Sequence, residues 1–204
     1  MSQTAAHNLS DQLLVEQVLK GNQQAFVLVI RQTEGLVAQI VLKMVRITAD
    51  RPDIVQDIYL KAYKNLPSFR FNSKLSTWIG KIAYNTCLHY LEKRKLVFLP
   101  ATSEEKEPEE IFDNLSYNRQ AYNVNEGEKR LSSRDLGAAL GAAINNLSPP
   151  IYQTLITLYH QEEMSYAEIA EITSLPEGTV KNYLFRARKA LKENLLSDYQ
   201  KEEL

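Results

Sequence analysis

Between positions 180 and 192 the chain carries the residue types that grip a polyanion. Lys181, Arg186, Arg188, Lys189 and Lys192 lie off the apolar positions Val180, Leu184, Ala187 and Leu191, which continue to Leu195 at spacings of three and four. No acidic residue interrupts the cations until Glu193. At about 100° per residue, Phe185 also falls among the cations, away from the apolar stripe. An aromatic ring there gains little from burial in its own domain and is better suited to touching a base or a partner. Just upstream, Ser165 and Glu168 have capping-box spacing, Leu175-Pro176-Glu177-Gly178 is a breaker, and Thr179 can cap or open the following helix. Two helices around a tight turn, the second basic with an outward aromatic, form the layout of a helix-turn-helix that enters a DNA major groove. A solvated basic face fits the same spacing, which alone does not choose between the two.

These side chains need a scaffold. The 204 residues are enough for one domain or two small ones, and 44% hydrophobic content supplies a core. The net charge of −1 hides an asymmetry. Glu104, Glu105, Glu107, Glu109, Glu110 and Asp113 face only Lys106, while cations gather at 181–192 and at Lys93-Arg94-Lys95. A near-neutral total therefore conceals basic faces offset by an acidic connector. The single cysteine, Cys87, excludes an intrachain disulfide and fits a reducing compartment. Cys87 and His89 point in different directions on a helix and lack further ligands at zinc spacing, so Cys87 reads as a core residue, and neither metal nor cofactor is expected. The N-terminus has neither a basic region nor an apolar segment of signal-peptide type, and no long uninterrupted apolar run appears; a cytoplasmic protein without membrane insertion is expected.

Nearly every periodic segment reads as helix, which predicts an all-α fold. The first helix is expected from Ser10 or Asp11 to Lys20, then an apolar stretch from Gln23 to Ile47 bent near Thr33-Glu34-Gly35. Thr48 to Pro52 is a helix-start signal, and the helix beyond carries Ile54, Ile58 and Ala62 on its buried side and ends before Pro67. Ser68 to Leu75 is a loop, and Ser76 caps a helix running from Thr77 to about Lys93. Residues 1–95 thus form one helical unit, 96–133 an acidic linker, and 134–204 a second unit with the helix-turn-helix. A tether of roughly forty residues could hold the units tens of ångströms apart.

Two further strings carry a family likeness. Asp53-Ile54-Val55-Gln56-Asp57-Ile58-Tyr59-Leu60-Lys61-Ala62-Tyr63 resembles the core-polymerase-binding helix of bacterial sigma factors, and Ser76-Thr77-Trp78-Ile79-Gly80-Lys81-Ile82-Ala83-Tyr84-Asn85 resembles their promoter-opening helix. With Glu177 to Arg188, the order and spacing resemble those of extracytoplasmic-function (ECF) sigma factors, across about 10–95 and 134–198. The resemblance implies that Asp53, Ile54, Gln56 and Asp57 bind the largest subunit of core RNA polymerase, the second-largest subunit being engaged as well. It places Phe71, Asn72, Ser73, Lys74, Ser76, Trp78, Lys81 and Asn85 on the melted minus-ten element, where an unstacked base is captured. It places Lys181, Asn182, Phe185 and Arg186 on the minus-thirty-five duplex, with Thr179 near a phosphate. Trp78 equally suits a core position, Asp53, Gln56 and Asp57 equally suit a solvated face, and Tyr59 suits core or partner. Lys93-Arg94-Lys95 could extend the phosphate track or simply answer a helix dipole. Asn182 and Tyr183 depart from the commoner Ser-Arg of the family, and the lost cation leaves the promoter sequence open.

The implied function is promoter-directed transcription initiation in response to a stress or envelope signal, with promoter DNA, core RNA polymerase and an anti-sigma factor as partners. By the same likeness the acidic linker would follow the RNA path through the polymerase. A helix-turn-helix regulator acting without polymerase is the alternative; it would need a ligand or phosphoryl-acceptor domain, and 10–95 shows none. Catalysis is not expected, because His7, His89 and His160 are scattered, no glycine-rich phosphate loop occurs, and no nucleophile has a base partner at motif spacing.

Overall fold

A computed structural model describes the backbone of residues 2–98 and 133–202 and the side chains of residues 10–94 and 139–196. Helix α1, Ser2–Leu19, starts before the expected Ser10 and gives way at Gly21, whose φ of +90° favours glycine. Asn22 caps α2, Gln23–Met44, its side chain accepting from the N–H groups of Gln24 and Ala25 at 3.0 and 3.3 Å. Helix α2 is continuous through Thr33-Glu34-Gly35, where a bend was expected. Thr33 donates to the Val29 carbonyl at 2.8 Å and shares a hydrogen bond with the Tyr59 hydroxyl, so its polar group is satisfied without breaking the helix. Leu36, Val37, Ile40 and Val41 then keep the same buried face going. By length and composition α2 could cross a membrane, although Arg31 and Glu34 interrupt its apolar residues. Its apolar residues include a stripe buried between α1, α3, α4 and the second unit, which is the situation of a core helix.

A 3-10 turn, Thr48–Asp50, leads into α3, Arg51–Asn65, with Pro52 in the first turn where its missing N–H costs nothing. Ile54, Ile58 and Ala62 are buried as their spacing requires. Helix α4, Leu75–Phe98, begins one residue before Ser76 and runs past Lys93, shortening the expected linker. Ser76 is therefore not its cap. Residues 99–132 of the expected linker, including the acidic run, lie outside the described residues.

The second unit comprises α5 (Ser133–Asn145), α6 (Ile151–His160), α7 (Tyr166–Thr173) and α8 (Glu177–Glu202). No strand occurs among the described residues. The two units are not held apart. They share one hydrophobic core in which α4 packs on α7 and α2 on α6, and Lys43 donates to the Asn145 side chain at 2.8 Å across the join. Gly80 marks a close approach: a Cβ there would stand 2.9 Å from Ile172 Cδ1 and 3.2 Å from Leu36 Cδ2. Cys87 is fully buried, and burial pushes its thiol up to about 12, so it is an inert core residue.

Candidate nucleic-acid interface

Helix α7 starts with the expected capping box: Ser165 Oγ accepts from the Glu168 N–H, and Glu168 accepts from the Ser165 N–H at 2.9 Å. It ends at Ser174, a left-handed residue at φ +59°, after Thr173 has bonded back to the Ile169 carbonyl. The turn is shorter than Leu175-Pro176-Glu177-Gly178 suggested. Val180 N–H already bonds the Pro176 carbonyl, so Glu177 and Gly178 are helical and Thr179 sits in the first turn rather than opening it. Glu177 there is favoured by the helix dipole.

Val180, Leu184 and Ala187 are fully buried under α8. Its opposite face presents Lys181, Asn182, Phe185 and Arg186 to solvent, with Phe185 68% exposed. Thr179 is half-buried beside them. The cations are not all equally available. Lys181 is 2.7 Å from Glu177 and lies over the Tyr166 ring, and the Glu177 contact raises its pKa. Arg188 is diverted: its guanidinium covers Tyr159, which stacks on Tyr166, while its Nε donates to His160. Burial and then the Arg188 charge lower the His160 pKa, keeping it a neutral acceptor. Tyr183, where the family's cation is missing, packs edge-on to Tyr152 at 5.7 Å and is half-buried. Position 183 thus supports the fold.

In the first unit, 69–78 builds an aromatic shelf. Phe69 is buried, and its ring lies 4.7 Å from Phe71 and 5.2 Å from Trp78. Phe71 adopts φ +57°, a conformation costly for a bulky residue, which turns its half-buried ring onto that cluster. Trp78 packs on the core with part of its surface outward. Asn72 is exposed beside the shelf; Ser76, Lys81 and Asn85 are half-buried on the first turns of α4. Of the cations at 93–95, Arg94 is engaged by Tyr90 and Asp50, Lys93 is exposed, and the Lys95 side chain lies outside the described residues.

Asp11 holds the shelf in register, which no local sequence signal announced. It is 6% exposed, and its Oδ2 accepts from the Leu75 N–H at 2.9 Å, capping α4 from 64 residues away. Asp11→Ala would orphan that buried donor and is expected to cost about 1–3 kcal/mol in denaturant unfolding. Asp11→Asn keeps an acceptor and should cost less.

On α3, Asp53, Gln56 and Asp57 are exposed as expected, whereas Ile54 is 7% exposed and serves the core instead of offering a contact. Tyr59 is a core residue too. Leu60 and Tyr63 share the face of Asp53 and Gln56 by spacing, are about half exposed, and were missed; Tyr63 meets Phe26 edge-on at 5.0 Å.

Residues 29–97 match the family model Sigma-70 region 2, and residues 138–191 match Sigma-70, region 4. The chain is 34% identical over 196 residues to the ECF RNA polymerase sigma-E factor of Haemophilus influenzae, covering 93% of this chain and 97% of that protein. It belongs to the ECF sigma factors. The Escherichia coli sigma-E factor is 36% identical over 188 residues, covering 91% and 94% of the two chains. Among solved structures, the sigma factor RpoE bound to the anti-sigma factor NepR from Bartonella quintana aligns at a TM-score of 0.60 and 26% identity, covering 88% of this chain and 99% of that one. CnrH in complex with the cytosolic domain of CnrY shares the fold, with a TM-score of 0.61 at 22% identity and coverage of 93% and 99%. As a sigma factor this chain is a transcription initiation factor that directs RNA polymerase, with the aromatic shelf in region 2 and the basic helix in region 4. Among the described residues no group of three or more His, Cys, Asp or Glu is gathered that could hold a metal.

Glu168 of α7 also reaches region 2, pairing with Lys74 at 2.8 Å. Burial disfavours its charge, but Lys74 and Ser165 outweigh burial and hold the carboxyl below its usual 4.5. A lowered folded pKa gives stability that is complete above the unfolded value and lost as pH falls through the folded one. The stability difference between the wild type and Glu168→Gln should therefore hold steady down to about pH 5 and shrink below pH 4.5. Chemical unfolding across that range measures it.

Proposed function

We propose that the sigma factor works in the cytoplasm by dividing promoter recognition between its two units. Lys181, Asn182, Phe185 and Arg186 read the minus-thirty-five duplex, with Thr179 at a phosphate. The shelf of Phe71 and Trp78, edged by Asn72, Ser73, Lys74, Ser76, Lys81 and Asn85, takes the melted minus-ten strand and one extruded base. Asp53, Gln56 and Asp57, joined by Leu60 and Tyr63, dock on core RNA polymerase. The observation that carries this reading is the aromatic shelf, because Phe71 holds a strained backbone and keeps ring surface accessible beside an exposed Asn72. Base–aromatic stacking contributes about 1–3 kcal/mol per base, enough to hold a strand once melted. No catalytic step belongs to this chain. A partner that masks these faces, as an anti-sigma factor does, is the expected regulator, with a stress or envelope signal releasing it.

Transcription of a fragmented genome by core polymerase supplemented with the chain tests the proposal and reports the promoter sequence. Discrete start sites sharing upstream elements are expected. Asp53→Ala with Gln56→Ala should reduce co-elution with core polymerase while leaving the melting temperature unchanged. Tight duplex binding without polymerase association would establish the polymerase-independent regulator instead.

A further inference from the structure

Two of the side chains assigned to the minus-ten strand are already occupied. Ser73 Oγ donates to Glu171 Oε1 at 2.7 Å, and Lys74 Nζ lies 2.8 Å from Glu168 Oε1. Both carboxylates belong to α7, the first helix of the helix-turn-helix, with Glu171 98 residues downstream of Ser73. To a lysine and a hydroxyl, carboxylate oxygens offer the same anionic acceptors that a phosphodiester would.

The contact is more than a surface pair. Glu168 is held for it: one oxygen accepts from both the backbone and the hydroxyl of Ser165, leaving the other for Lys74. Beneath the polar pair, Ile172 is fully buried against Gly80, where any side chain would intrude. Glycine inside a helix costs roughly 0.5–1 kcal/mol relative to alanine, and here it permits α4 and α7 to close on each other. Meanwhile Lys181, Asn182, Phe185 and Arg186 stay exposed on α8. The closed arrangement occupies one nucleic-acid site and leaves the other free.

We propose that α7 is an intramolecular competitor of promoter DNA, in which Glu171 and Glu168 occupy Ser73 and Lys74 as a DNA backbone would, so that the minus-ten loop accepts a strand only after the two units part. This rests on the assignment of residues 71–85 to that strand. The free chain then binds the minus-ten strand with an affinity reduced by its open fraction, and any partner that separates the units restores it. Duplex recognition by α8 does not carry that penalty.

The test uses the full-length chain and fluorescence anisotropy. The probes are a labelled single-stranded non-template oligonucleotide spanning the minus-ten element, and a labelled duplex of the minus-thirty-five element, both from a promoter mapped by the transcription assay. Glu168→Gln with Glu171→Gln removes the anionic acceptors while glutamine can retain the capping box. Gly80→Ala crowds Ile172 of α7, and Leu36 of α2, without weakening α4. Glu16→Gln with Glu34→Gln, at exposed positions remote in sequence from α7, matches the charge change of the first variant. About a fivefold or greater gain in strand affinity for the Glu168/Glu171 and Gly80 variants, with duplex affinity unchanged and no gain for the charge control, is the expected result. Equal strand affinity in the wild type and all folded variants overturns the clasp, as does an equal gain in the charge control. Should strand binding be absent from every protein, with and without core polymerase, the minus-ten assignment itself falls. If the wild-type holoenzyme transcribes normally while the folded variants gain nothing, only the clasp is lost.

Discussion

Leu184→Ala should lower unfolding stability by about 2–5 kcal/mol, while Phe185→Ala, one residue further on, should change it by less than about 0.5 kcal/mol. Leu184 is fully buried in the core, together with Val180 and Ala187 on the same stripe of α8, so truncation leaves a cavity that rigid helices cannot fully close. Phe185 is 68% exposed and has little packing to lose. Because the two units share one core, the Leu184 change should shift a single transition and not melt region 4 by itself. Urea unfolding followed by circular dichroism measures both. A cost below about 1 kcal/mol for Leu184→Ala would mean that α8 is not seated as described.

Arg186→Ala is expected to weaken minus-thirty-five duplex binding by about 1–3 kcal/mol, provided the guanidinium makes a bidentate base contact. The melting temperature and polymerase association should be untouched, since Arg186 is exposed and lies on the face away from the buried stripe. Arg188→Ala is the instructive contrast. Its guanidinium is spent on Tyr159 and His160, so it should lose stability of the α6–α8 packing more than affinity for DNA. Anisotropy titrations at two salt concentrations separate base contacts from phosphate contacts, because only the latter steepen the salt dependence. Equal loss of duplex and polymerase binding in Arg186→Ala would point to misfolding.

Much of the architecture was legible because it is written in local spacing. The recurrence at Val180, Leu184 and Ala187 assigned the buried face of α8, and by exclusion exposed Phe185 and Arg186. The Ser165–Glu168 capping box was readable from two residues three apart. Local reading failed where a side chain could satisfy itself in more than one way. Thr33, two residues before a glycine, looked like a break, but its bonds to Val29 and Tyr59 satisfy its hydroxyl and α2 continues through that point. Ser76 looked like a cap, yet Asp11 of another helix meets the first N–H of α4. For Ile54 the spacing was right and the resemblance was not needed: it is buried with Ile58 and Ala62, although the polymerase-binding string includes it. Leu60 and Tyr63 could have been found by extending the spacing of Asp53 and Gln56 by one and two turns.

By itself the sequence determined the order of helices, the faces that α3 and α8 bury, and the two sigma regions those helices make. The helices and those faces follow from intervals of three and four residues and from capping residues within one turn, and the two regions from the resemblance of residues 53–63, 76–85 and 177–188 to sigma factors. Only the tertiary structure decided which faces meet: Asp11 at the start of α4, Gly80 against Ile172, and Glu168 and Glu171 on the minus-ten loop. A carboxylate's partner across 64 or 98 residues depends on the summed packing of every helix between them, and no local interval in the chain encodes that sum.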